Sequence, residues 1–94
     1  MPKNQRNLVH LKKFGSFISD LRVHAKQTQQ SASDAMKNYD CDFSRENLAK
    51  LEYGLLADPK PEVLRVIATV YNVRYDVLLV KLIEDKYHVS LRLN

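Results

Sequence analysis

Between Phe43 and Gly54 the chain reads FSRENLAKLEYG. Ser44, Arg45, Glu46, Asn47 and Lys50 are all hydrogen-bonding side chains, and together they suit recognition rather than bond-making. An arginine fork donates two bonds to guanine O6 and N7. A glutamate accepts from cytosine N4, and serine, asparagine and lysine reach phosphates or bases. A helix start at Ser44 also favours a phosphate. Chemistry of other kinds finds little support. His10, His24 and His88 lack metal-ligand spacing, and neither CxxC nor HExxH occurs. There is no Gly-rich phosphate loop, and no nucleophile stands near a recognisable base in sequence. The expectation is a non-enzyme with no cofactor and no metal.

Five polar side chains can face outward together only if something fixes the segment beneath them. Leu48 and Leu51 are three apart, one face of a helix. Ser44 is the natural cap at its start, because its hydroxyl accepts from an unpaired backbone N–H. Gly54 suits the left-handed position past its end. A merely solvated polar face is the competing reading of residues 44–50, and near a helix start Glu46 also serves the macrodipole.

The remaining elements must supply the platform. Phe14, Ile18, Leu21 and Ala25 lie at steps of three and four, which predicts a helix with Gly15 in its first turns. Thr28 caps a second helix, with Ala32, Ala35 and Met36 inward. NYDCDF is turn-like. Pro61 opens a fourth helix carrying Leu64, Ile67, Ala68 and Tyr71, and Asn72 ends it. YDVLLVKLIEDK makes a fifth, with Leu78, Leu79 and Leu82. The tail YHVSLRLN alternates, which predicts a short strand paired with LVHL or with a second subunit. Tyr71 and Tyr75 are assigned to the core or its rim, and Tyr53 to packing.

The chain has 94 residues, which argues for one domain. Only two glycines and three prolines interrupt it, which favours an all-α fold. Net charge is +4, a pointer to an anionic partner, but it is unevenly spread. Residues 1–26 carry six basic side chains against Asp20, whereas residues 27–58 are net −3 and residues 59–94 net +2. A solvated basic tail is the alternative at the amino end. The lone Cys41 fits a reducing compartment and is more often an apolar filler than a sensor, with Asp40 and Asp42 opposing a thiolate. No apolar run approaches a membrane span of ~20 residues, and MPKNQRNLVHLKK is unlike a signal peptide. The expected compartment is the cytoplasm.

Four stretches, taken in order, resemble a known family: FGSFISDLR (14–22), TQQSASDAM (28–36), SRENLAKLEYG (44–54) and PKPEVLRVIATVYNVRYDVLL (59–79). Their sequence and spacing are similar to the phage-repressor, Cro/CI or XRE-type helix-turn-helix proteins. The resemblance implies a compact five-helix bundle of the lambda-repressor kind. Its second and third helices would form a DNA-binding motif, and the protein would work as a dimer on double-stranded DNA. It implies that Gln29 opens the second helix and touches a phosphate. It places Ser44, Arg45, Glu46, Asn47 and Lys50 on the recognition helix, and it matches Arg22 and Glu52 to a pair tying the first helix to the third.

Two departures stand out. The connector between helices two and three has five extra residues, about 37–41, and no glycine, so it either tilts the third helix or lengthens the second. Leu55, Leu56, Ala57 and Asp58 stand where the family has basic residues. Phosphate contacts must then come from Lys12, Lys13, Lys26, Lys60 or the amino-terminal arm.

The expected organisation is a flexible basic arm over 1–11, a helix-turn-helix domain over 12–86 and a tail over 87–94. The expected function is a dimeric, sequence-specific transcriptional repressor of bacterial or phage origin. The alternative is an antitoxin-like or adaptor module whose partner is a protein, suggested by the acidic 27–58 stretch, LLA after Gly54 and the alternating tail. Val80, Ile83, Val89, Leu91 and Leu93 are the expected dimer surface.

Overall fold

A computed structural model describes residues 9–91 of the chain. It holds five helices: α1 (Lys12–His24), α2 (Gln29–Lys37), α3 (Arg45–Glu52), α4 (Pro61–Tyr71) and α5 (Tyr75–Tyr87). α1 packs on α3 and α5, α2 on α3 and α4, and α4 on α5. The core they enclose contains Phe14 and Ile18 of α1, Ala32 and Met36 of α2, Leu48 and Leu51 of α3, Leu64 and Ile67 of α4, and Leu78 of α5. Each fully buried leucine or isoleucine contributes about 1.5–3 kcal/mol. The fold is therefore an all-α bundle.

Local chemistry starts most of the helices. Thr28 accepts from the Ser31 N–H while the Ser31 hydroxyl accepts from Thr28 N–H, a reciprocal capping box. Ser44 accepts from Asn47 N–H at 3.1 Å. Pro61 occupies the first turn of α4. The start of α1 is different. Leu11 caps it without a side-chain bond, and the missing acceptor comes from α5, where Asp85 Oδ2 accepts from Phe14 N–H at 2.9 Å.

All five helices end in one way. Lys26, Asp40, Gly54, Asn72 and His88 take left-handed backbone angles, with φ of 60°, 57°, 80°, 55° and 55°. After each, the next N–H reaches back five residues: Gln27 to Arg22, Cys41 to Met36, Leu55 to Lys50, Val73 to Ala68, Val89 to Glu84. This bond is the signature of the Schellman turn, which usually employs glycine. The connector of residues 37–41 is thereby explained. It continues α2 through one more turn, and Asp40 does what a glycine does elsewhere, since a short polar side chain tolerates this conformation.

Three expectations need correction. Ala25 is exposed rather than inward, because α1 stops at His24. Leu11, assigned to the flexible arm, is buried, and the N–H groups of His10 and Leu11 both donate to the Gly54 carbonyl, at 2.7 and 3.0 Å. The alternating tail is not a strand over its described part. α5 runs through Tyr87, His88 turns the chain, and Leu91 N–H donates to the Glu84 carboxylate. Residues 92–94, the end of that expected strand, and most of the arm lie outside the described residues.

Gly15 has a packing reason. A Cβ there would sit 2.5 Å from the carbonyl oxygens of both Leu51 and Glu52. The absent side chain lets α1 cross directly over the last turn of α3.

Candidate nucleic-acid interface

α3 is eight residues long and held from three sides. From below, Leu48 and Leu51 are buried. Ahead of it, the buried Ser33 hydroxyl of α2 donates to the Phe43 carbonyl at 2.6 Å, which pins the residue just before the Ser44 cap. At its far end Glu52, whose side chain is 5% exposed, accepts two bonds from Arg22, Nε at 2.7 Å and Nη2 at 3.0 Å. Arg22 Nη1 also donates to the Gln27 carbonyl at 2.7 Å. Such a two-pronged pair fixes orientation as well as distance. Glu52 and the burial of its guanidinium partner act in opposite senses on Arg22, and the hydrogen bond prevails, holding its pKa above the usual arginine value.

Gln29 joins this network. Its Nε2 donates to Glu52 Oε1 at 3.1 Å, which engages one of the two amide hydrogens inside the protein. The second Nε2 hydrogen is left to donate elsewhere, and Oε1 is an acceptor only. Tyr71 lies close to the same pair. Burial, then the Glu52 charge, push its phenol up to about 12, with Arg22 opposing.

The outer face of α3 is open. Arg45, Glu46, Asn47 and Lys50 are exposed, and Ser44 is half-buried with its hydroxyl occupied in capping. Arg45 and Glu46 side chains are 51% and 69% exposed and meet at their tips, Nη2 to Oε2 3.2 Å. Lys12 and Lys13 are exposed in the first turn of α1, and Lys60 is exposed at the cap of α4.

The acidic middle of the chain is less repulsive than its net −3 suggests. Glu52 pairs with Arg22, Glu46 with Arg45, Asp34 with Lys37 and Asp58 with Lys86. Two of those cations, Arg22 and Lys86, come from outside the acidic segment. Asp40 and Asp42 have no cation partner among the described residues, and both lie in the connector leading to α3.

Comparison with protein-family models, curated proteins and solved structures finds no match. The site therefore stands on its own geometry.

Some of that geometry was not foreseen. Ser33 carries the tie to Phe43, and the available signal was a polar residue between Ala32 and Met36 on an inward face. Tyr53, expected to pack, is 70% exposed at the end of α3, beside exposed Leu55. Cys41 is half-buried; burial pushes its thiol up, and Asp42 and Glu62 add to the shift, which disfavours a reactive thiolate. Among the described residues no group of three or more His, Cys, Asp or Glu is placed to hold a metal ion, and no helix is long and apolar enough to cross a membrane.

Proposed function

We propose that this chain is a sequence-specific DNA-binding regulator of the phage-repressor, Cro/CI type, acting in the cytoplasm as a dimeric repressor. The observation that carries it is the division of α3. Leu48 and Leu51 are sunk in the core while Arg45, Glu46, Asn47 and Lys50 are exposed on the other side. A short helix so presented fits the major groove, with α2 crossing the backbone. Lys12, Lys13 and Lys60 would meet phosphates. Gln29, held by one amide hydrogen on Glu52, would give the other to a phosphate at the start of α2, beside the first-turn backbone N–H groups. Exposed Ile83, Tyr87, Val89 and Leu91 would form the dimer surface, and a two-fold dimer would span half-sites about 34–36 Å apart.

The test is binding to DNA duplexes enriched from a random pool, titrated with salt. Arg45→Ala should relax preference at one base pair. Lys12→Ala or Lys13→Ala should weaken all sequences alike and lower the salt slope by about 1. If neither change has an effect, α3 does not dock in the groove.

A second reading has its own observation. Val9, Tyr53 and Leu55 are exposed apolar groups around the end of α3, where His10 is bonded to Gly54. They would serve an adaptor or antitoxin-like protein with a protein partner. Recovery of a stoichiometric protein partner, with no retention on duplex DNA at low salt, would favour it.

A further inference from the structure

We propose that Arg45 and Glu46 act as one unit that reads a single guanine·cytosine pair in one orientation; this rests on the DNA reading above. Neighbouring residues on a helix point in different directions, yet these two side chains converge, with Nη2 donating to Oε2 at 3.2 Å. Both are exposed in the first turn of α3, so the joined tips project from the end of the helix that would enter a groove.

The spacing is the argument. In a guanine·cytosine pair, guanine O6 accepts from cytosine N4 across an ordinary N–H···O bond of about 2.9 Å. Two groups 3.2 Å apart can therefore sit over O6 and N4 at once without separating. Along the major-groove edge the pair presents acceptor N7, acceptor O6, donor N4. Arg45 and Glu46 present donor, donor, acceptor. Every hydrogen-bonding site is then matched. Arg45 Nη2 has two hydrogens, one for Glu46 and one for O6, and a second guanidinium N–H reaches N7. Glu46 Oε2 accepts from Arg45 and from the N4 hydrogen left over by base pairing.

The other pairs fit less well, in a definite order. Thymine·adenine keeps an acceptor under Arg45 and a donor under Glu46, but puts a methyl group where N7 would be. Adenine·thymine and cytosine·guanine each place a donor under Arg45 and an acceptor under the Glu46 carboxylate. The ranking is guanine·cytosine first, thymine·adenine second, and the other two last.

The experiment uses the full chain and four duplexes that differ only at the position Arg45→Ala relaxes. Wild type should follow that ranking. Glu46→Ala should narrow the gap between guanine·cytosine and the two last pairs roughly tenfold. It should also raise absolute affinity for those two pairs, because the carboxylate facing their O4 or O6 is gone. Glu46→Gln, whose amide can turn either way, should flatten the order in the same sense. Unchanged helical circular dichroism establishes that each variant is folded. A ranking that survives both substitutions overturns the paired reading and leaves groove docking standing. Failure of the wild-type chain to retain any duplex at low salt removes both.

Discussion

Gly15→Ala pits two rules against each other. In an exposed helix the change would stabilise by about 1 kcal/mol, because alanine is the better helix former. Here the new methyl would stand 2.5 Å from the Leu51 and Glu52 carbonyl oxygens and 2.8 Å from the Glu52 carbonyl carbon. Carbon contacts settle near 3.5–4.0 Å, so α1 and α3 must separate by about 1 Å. The obstructing atoms are backbone and cannot rotate away. Overpacking of this kind costs about 1–3 kcal/mol, and a rigid obstacle belongs at the upper end. The net expectation is a loss of about 2 kcal/mol, or a melting temperature lower by roughly 8–16 °C. Thermal and urea unfolding followed by helical circular dichroism measure it. Ser16→Ala, exposed at the next position, is the control and should raise stability by a few tenths of a kcal/mol. If Gly15→Ala matches or exceeds wild type, the close crossing of α1 over α3 is refuted.

Lys26→Gly should stabilise the chain by about 1 kcal/mol in the same unfolding assay, since an exposed lysine there holds a φ of 60°. Ser33→Ala should cost about 1–3 kcal/mol, because it leaves the Phe43 carbonyl without its buried partner. Tyr71 gives a pH dependence. Its folded value near 12 lies above the ordinary 10, so its contribution is complete below pH 10 and is lost as pH rises through 12. Urea midpoints across that window, beside the phenolate absorbance of Tyr71→Phe and wild type, check the sign.

Much of the framework was legible because it is written locally. Thr28, Ser44 and Pro61 announce helix starts by chemistry confined to one turn, and Leu48 with Leu51 marks the buried side of α3. Gly54 and Asn72 announce helix ends, since those residue types favour the left-handed turn. Lys26, Asp40 and His88 make that turn too, but a lysine carries no such preference, and aspartate and histidine adopt it too seldom to mark a helix end on their own. Asp85 was invisible for another reason. Its partner, Phe14, is 71 positions away, and nothing in either neighbourhood signals the bond. The α3 surface divides similarly. Arg45 and Glu46 were evident as donors and acceptors, whereas their contact, and the diversion of the Gln29 amide to Glu52, are products of side-chain conformation.

The last turn of α5 has three attachments in succession: Glu84 to the chain beyond it, Asp85 to the start of α1, and Lys86 to Asp58. The outermost helices are consequently latched to each other, so neither can fray without loosening its opposite. A truncation that removes residues 84–86 would be felt first at Phe14, at the far end of the polypeptide, as faster exchange of its amide hydrogen.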